Sequence, residues 1–120
     1  MMNDLPHKQL EVWKRSMAMV AFIYEQTKSF PREEEFGMKS QLRRAAVSVP
    51  SNIAEGLARK GKNERLHFLN IAQGSLSELD TQVEISATLG YFAREVANSI
   101  ESRLVDIQKL LSGLVRKIRD

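Results

Sequence analysis

One stretch limits what this 120-residue chain can fold into more than any other: residues 36–59, FGMKSQLRRAAVSVPSNIAEGLAR. Apolar or small side chains recur at Met38, Leu42, Ala45, Val49, Ile53 and Gly56 or Leu57. Steps of three and four trace one face of an α-helix. Pro50 falls inside that helix, where it offers the Ala46 carbonyl no N–H and its ring clashes, at a cost of about 3 kcal/mol. A break at Val49 and a kink in one continuous helix are the two ways to place it. The stripe Ala45, Val49, Ile53 keeps its phase across the proline, which favours the kink. The hydroxyls of Ser48 and Ser51 are placed to help satisfy the freed backbone.

The rest of the chain repeats the helical period. The first helix carries Leu10, Trp13, Met17, Val20, Tyr24 and Thr27. The third carries Leu69, Ala72, Leu76, Leu79, Val83 and Ser86, and the fourth Ile100, Leu104, Ile107, Leu111, Leu114 and Ile118, a heptad seam suited to packing near +20°. Punctuation falls at Pro31, at Gly61 and at Leu89-Gly90-Tyr91, with Asn63 as cap of the third helix. One domain over residues 1–120 is expected, with helices at roughly 8–29, 32–60, 63–89 and 93–119 behind a short frayed lead-in. Connections of about three to five residues make these antiparallel neighbours in an all-α, up-down-up-down four-helix bundle.

Composition removes several chemistries. Cysteine is absent, so thiol nucleophiles, disulfides and cysteine metal sites are excluded, which suits a reducing cytoplasm. The start MMNDLPHKQLEVW has neither the basic n-region nor the apolar run of a signal peptide. The apolar run Met17–Ile23 falls far short of the roughly 20 residues that span a bilayer. A cytoplasmic protein with no membrane partner is expected. His7 and His67 stand far apart, and no glycine loop for phosphates occurs. No catalytic, cofactor or metal residue is assigned, and the chain is read as not an enzyme.

Two groups of polar residues invite a role. Gln41, Arg44, Ser48, Asn52, Glu55 and Arg59 share one side of the second helix. If the second and third helices form a hairpin about Lys60-Gly61-Lys62, opposed residue numbers add up to about 122. Arg44 then faces Glu78, Ser48 faces Gly74 and Glu55 faces His67. Arg44, Ser48, Asn52, Glu55 and Glu78 are therefore read as a structural polar network. Charge supplies the second group: residues 41–70 carry six basic and two acidic side chains, and Lys109, Arg116, Lys117 and Arg119 make the tail basic against Asp120. Arg59, Lys60, Lys62 and Arg65 at the hairpin tip, with Arg43 as the freer of the arginine pair, are candidates for contact with nucleic-acid phosphates. Aromatic interleaving is thin there, Phe68 alone, so base stacking has little support. Extra apolar width on the first helix (Met19, Phe22, Ile23) and the third (Phe68, Ile71, Ile85) points to a homo-oligomer.

Longer motifs carry a resemblance. Phe30-Pro31, Glu35-Phe36-Gly37-Met38, the run Gln41-Leu42-Arg43-Arg44-Ala45-Ala46-Val47-Ser48-Val49-Pro50-Ser51-Asn52-Ile53-Ala54-Glu55-Gly56, then Phe68-Leu69-Asn70-Ile71-Ala72-Gln73-Gly74-Ser75-Leu76-Ser77-Glu78-Leu79 and Leu89-Gly90-Tyr91 make the whole chain resemble the bacterial four-helix-bundle proteins encoded by intervening sequences of 23S ribosomal RNA genes. The resemblance implies a left-handed bundle assembling as a homo-oligomer, a ring-like pentamer, with no enzymatic activity to carry over. It also suggests distant kinship with accessory proteins of diversity-generating retroelements, which bind nucleic acid and a reverse transcriptase. The leading expectation is non-catalytic binding of RNA or DNA through basic patches. The alternative is a protein-interaction scaffold with no nucleic-acid role.

Overall fold

In the computed structural model, which describes residues 6–120, the chain is all-α, with no strand among the described residues. A 3₁₀ turn at Pro6–Gln9 leads into α1 (Glu11–Thr27), a second at Arg32–Glu34 precedes α2 (Met38–Ala58), and α3 (Lys62–Thr88) and α4 (Arg94–Arg119) complete the four helices. Residues 1–5 of the expected lead-in lie outside the described residues. Each helix packs on two others, α1 and α3 both lying against α2 and α4. The particle measures 43 × 28 × 20 Å.

α2 runs unbroken through Pro50, whose ring is buried. The apolar stripe read from sequence is the one it buries: Leu42, Ala45, Val49 and Ile53, joined by Ala46. Burial of that stripe in a shared core offsets the hydrogen bond that Pro50 forgoes.

Four boundaries and seams differ from expectation. α2 starts at Met38, six residues after the position assigned to it, because Arg32–Glu34 closes a separate 3₁₀ turn. The Glu34 carboxylate then reaches forward and accepts the Met38 N–H at 2.8 Å, serving as the cap of α2. α3 starts at Lys62 with Gly61 before it and no side-chain cap, so Asn63 lies inside the helix. On α1 the buried face is Val12, Ser16, Met19, Ile23 and Thr27, while Met17 and Tyr24 are exposed. Ser16 and Thr27 enter the core because their hydroxyls donate to their own helix, Ser16 Oγ to the Val12 carbonyl and Thr27 Oγ1 to that of Ile23, each at 2.7 Å. On α4 the seam drifts after Leu111 to Val115, leaving Leu114 and Ile118 half-buried. A straight helix of 3.6 residues per turn slides off a strict heptad in this way.

α2 and α3 approach closely at Gly56. A Cβ at Gly56 would stand 3.1 Å from the Arg65 carbonyl oxygen and 3.2 Å from Phe68 Cβ. At the far end of α3, Gly90 takes φ +81°, and Tyr91 N–H returns to the Ser86 carbonyl at 2.8 Å, closing the helix. Phe30 packs on Phe92 with ring centres 4.9 Å apart, and Tyr91 donates its hydroxyl to Glu34 at 3.0 Å. The segments following α1 and α3 therefore meet at one end of the molecule.

Candidate functional site

The polar stripe of α2 is held against α3, one residue out of the expected register. Ser48 Oγ lies 2.8 Å from Ser75 Oγ, not against Gly74, and accepts from Asn52 Nδ2 at 2.9 Å. Asn52 also donates to the Ser48 carbonyl. Ser48, Asn52 and Ser75 thus form a small network at the helix contact, with Ser75 a member that the expected set lacked. Gly74 is exposed, and a Cβ there would meet nothing within 4 Å.

Arg44 and Glu78 are both exposed and line one surface hollow with Gln41, Ala45 and Ser48. They do not form an ion pair; Glu78 accepts from Gln82 Nε2 on its own helix at 3.3 Å. Glu55 pairs with Arg59, just past the end of α2, at 3.0 Å, instead of reaching His67. These three members of the expected network therefore lie on the surface, because α2 and α3 approach through small residues and leave the longer side chains outside the contact.

The arginine pair reverses its expected roles. Arg43 is the engaged one: Nε donates to Thr27 Oγ1 at 2.9 Å, Nη2 donates to the Tyr24 carbonyl at 3.0 Å, and the guanidinium stands 4.4 Å over the Tyr24 ring. It fastens the end of α1 to α2 through the Thr27 hydroxyl and one of the carbonyls that a helix C-terminus leaves open. Arg44 is the one that faces solvent.

At the α2–α3 tip the four cations also divide. Arg65 Nε donates to the Arg59 carbonyl at 2.6 Å, and the Arg59 guanidinium lies 5.0 Å over Phe68 with its Nε buried and unpartnered. Those two shape the tip. Lys60 and Lys62 are exposed and join no ion pair among the described residues. Arg116, Lys117 and Arg119 are exposed at the end of α4.

The opposite end carries two carboxylates and a phenol tuned by their neighbours. Hydrogen bonding and charge from Lys39 hold the Glu35 carboxyl below its ordinary value, and Arg94 does the same for Glu84, to which it is bound at 2.8 and 3.2 Å. Donation to Glu34, with burial second, raises the Tyr91 phenol. Glu64 and His67 give one Glu-x-x-His spacing on α3. A di-iron bundle uses two such motifs with further carboxylates, and no group of three or more metal-binding side chains occurs among the described residues. No helix is long and apolar enough to cross a membrane among those residues.

The apolar surface is arranged differently from the sequence reading. Met19 and Ile23 belong to the core, whereas Ile71 and Ile85 are exposed as expected. Met17, Val47 and Val105 are exposed too, and Trp13, Met17, Val20, Val47 and Pro50 line a groove of about 360 Å3 between α1 and α2. Trp13, Met17 and Val20 were legible as a stripe, but only the packing shows that the stripe flanks the core.

A search of curated proteins finds no match. Among solved structures, the chain is similar to a protein of unknown function from the S23 ribosomal protein family of Bacteroides thetaiotaomicron, with 26% identity, a TM-score of 0.78, and coverage of 87% of this chain and 97% of that one. The family model described as 23S rRNA-intervening sequence protein matches residues 8–113. A match over that span, with a fold shared almost end to end with an S23 protein, places the chain in the 23S rRNA-intervening sequence protein family.

Proposed function

We propose that this chain is a non-enzymatic, oligomeric bundle that holds RNA or another nucleic acid by its phosphates, at the end where α2 turns into α3 and where α4 finishes. In this reading the helices alternate up-down-up-down with a left-handed twist. Between α2 and α3 the contacts run in opposite order, Ser48 with Ser75 and Gly56 beside Arg65 and Phe68, which supports the alternation.

The observation that carries the proposal is how charge divides between the two ends. The loops after α1 and α3 meet through Phe30–Phe92 and Tyr91–Glu34. That end holds six carboxylates (Glu25, Glu33, Glu34, Glu35, Glu84, Glu95) against Lys28, Arg32, Lys39, Arg43 and Arg94. The other end gathers seven cations (Arg59, Lys60, Lys62, Arg65, Arg116, Lys117, Arg119) against Glu55, Glu64 and Asp120. In this reading two basic stretches separated by some fifty residues lie at the same end of the bundle. Few aromatics accompany them, so the patch suits phosphates and not bases.

The test is a mobility shift with structured RNA and duplex DNA across a salt series. Binding is expected to weaken linearly on log–log axes, by a slope of about 0.9 per phosphate contact on duplex DNA. Lys60→Glu, Lys62→Glu and Lys117→Glu combined should weaken binding and flatten the slope, while Arg44→Glu changes little. No shift at low salt, or an unchanged slope in the triple variant, overturns the proposal. The engagement of Arg59 and Arg65 within the chain, together with the exposed apolar residues, favours the second reading, a protein-interaction scaffold. A gene lying inside a ribosomal RNA operon or beside a reverse transcriptase would separate the two settings for either reading.

A further inference from the structure

The outer face of α3 carries a row of residues that the bundle itself does not use. Asn63, His67, Asn70, Gly74, Ser77 and Thr81 are all exposed and fall within about 40° of one line along the helix. The side chains of Asn63, Asn70 and Ser77 make no hydrogen bond among the described residues, and Thr81 donates to the Ser77 carbonyl at 3.2 Å. Asparagine, serine, threonine and glycine are poor helix formers, on a face where alanine, lysine or glutamate would serve the helix better. Gly74 has the least internal reason for its place. It stands in mid-helix, and a Cβ there would meet nothing within 4 Å, whereas the glycine at position 56 is required by the approach of α2 to α3. Gly113 of α4, likewise without a neighbour within 4 Å, lies one turn before Arg116 and Lys117 of the cationic end.

We infer that this row is where the chain takes double-stranded RNA, lying along its shallow minor groove with ribose 2′-hydroxyls and base edges against Asn63, His67, Asn70 and Ser77, and with the backbone at Gly74 nearest the nucleic acid. The inference rests on the proposed phosphate binding and names the ligand. The row begins directly after Lys60 and Lys62, so a duplex held by its phosphates at the cationic end runs onto it. Asn63 to Ser77 extends it by about 21 Å. Its chemistry is short amides, a hydroxyl and an imidazole, groups that can both donate to and accept from a 2′-hydroxyl. Charges stand only on its shoulders, Glu64 and Glu78 to one side and Lys62 and Asp80 to the other, with Lys109 lining the same hollow as Asp80. That arrangement selects between grooves. α3 is packed against α2 and α4, so it offers a partner one face and cannot be immersed. In the deep major groove of B-form DNA the phosphate walls would close on Glu64, Glu78 and Asp80. The wide, shallow minor groove of an A-form duplex meets the row and leaves both shoulders in water.

Fluorescence anisotropy on the full chain, with a blunt-ended RNA duplex and the DNA duplex of the same sequence across a salt series, tests this. Wild type is expected to bind the RNA duplex about tenfold more tightly than the DNA, the worth of one or two hydrogen bonds to 2′-hydroxyls. Gly74→Ala should raise the urea midpoint and yet weaken RNA binding by about fivefold, because the methyl favours the helix and obstructs the groove. Asn70→Ala should weaken RNA binding by about threefold. Both variants should leave DNA affinity and the salt slope unchanged, since neither removes a cation. Equal affinity for the two duplexes, or full RNA affinity in either variant, overturns the inference and leaves the phosphate reading standing. No binding to either duplex at low salt overturns both. A lowered urea midpoint in Gly74→Ala overturns the inference as well, because the row would then be covered by a second copy of the chain.

Discussion

Gly56 and Gly74 lie inside long helices, where exchange for alanine favours the folded state by about 1 kcal/mol through backbone entropy. Their surroundings differ. At Gly74 the new methyl meets nothing within 4 Å, so the whole gain should appear. At Gly56 it would sit 3.1 Å from the Arg65 carbonyl oxygen and 3.2 Å from Phe68 Cβ. Neither neighbour yields easily: Arg65 is tied to the Arg59 carbonyl at 2.6 Å, and Phe68 is covered by the Arg59 guanidinium. Forcing a methyl into such a contact costs about 1–3 kcal/mol. The net expectation is a loss of about 1 kcal/mol at Gly56, hence a gap of roughly 2 kcal/mol between the two variants. With a urea slope of about 2 kcal/mol/M, their midpoints should differ by roughly 1 M, measured at one protein concentration because assembly contributes to stability. A Gly56→Ala midpoint at or above wild type would refute the close approach of α2 and α3. A Gly74→Ala midpoint below wild type would mean that this side of α3 is covered.

Arg43→Met should cost about 1–2 kcal/mol in urea unfolding, since it removes two charged hydrogen bonds and a ring contact, and Arg43→Lys should not restore it. Arg44→Met should stay within about 0.5 kcal/mol of wild type; equal effects at the two positions would contradict the division between them. Ser48→Ala and Ser75→Ala should each cost about 1 kcal/mol, and the double variant less than their sum, because each single change strands the other hydroxyl; strict additivity would show that the pair does not interact. The raised Tyr91 phenol gives a pH prediction. Between the ordinary value of 10.0 and its higher folded value, the native state keeps a proton that the unfolded chain has lost. Its contribution is therefore complete below about pH 10 and fades as pH rises through the folded value. Tyr91→Phe should flatten the alkaline limb of the stability profile, and an identical limb in wild type and variant would exclude the Glu34 contact as its source.

What could be read from the residues depended on whether hydrophobicity alone decided the packing. In α2 it did: Met38, Leu42, Val49, Ile53 and Leu57 all fall on one face and pack in or against the core, so the stripe kept its phase and Pro50 was correctly placed inside one helix. In α1 two apolar stripes lie side by side. The choice fell to Ser16 and Thr27, polar residues that enter the core only because each hydroxyl bonds a carbonyl of its own helix. No hydropathy scale contains that compensation, and it moved Met17 and Tyr24 from the expected core to the surface. The second helix began late for a related reason, since the cap came from Glu34, a residue that reads as one more favourable first-turn acid.

The site was less legible because it depends on register. Arg43 and Arg44 are separated by about 100° of helix, so whichever one meets a neighbouring helix is settled by where α1 and α3 lie, not by either residue's chemistry. A hairpin estimate that placed Ser48 on Gly74 instead of Ser75 was one residue out, enough to exchange a close backbone approach for a hydroxyl pair. The glycine that permits the approach is Gly56, on the other helix and nearer the turn. Arg44 and Glu78 were placed as neighbours, and they do share a hollow. Small side chains beneath them make the helix contact, so the charges above have no need to meet. Exposed ion pairs of this kind stabilise by at most about 1 kcal/mol, too little to set the register of two helices. The same inequality runs through the molecule: small-residue contacts and own-helix hydroxyl bonds fix the bundle, which leaves Lys60, Lys62, Arg116 and Lys117 free of structural duty at its end.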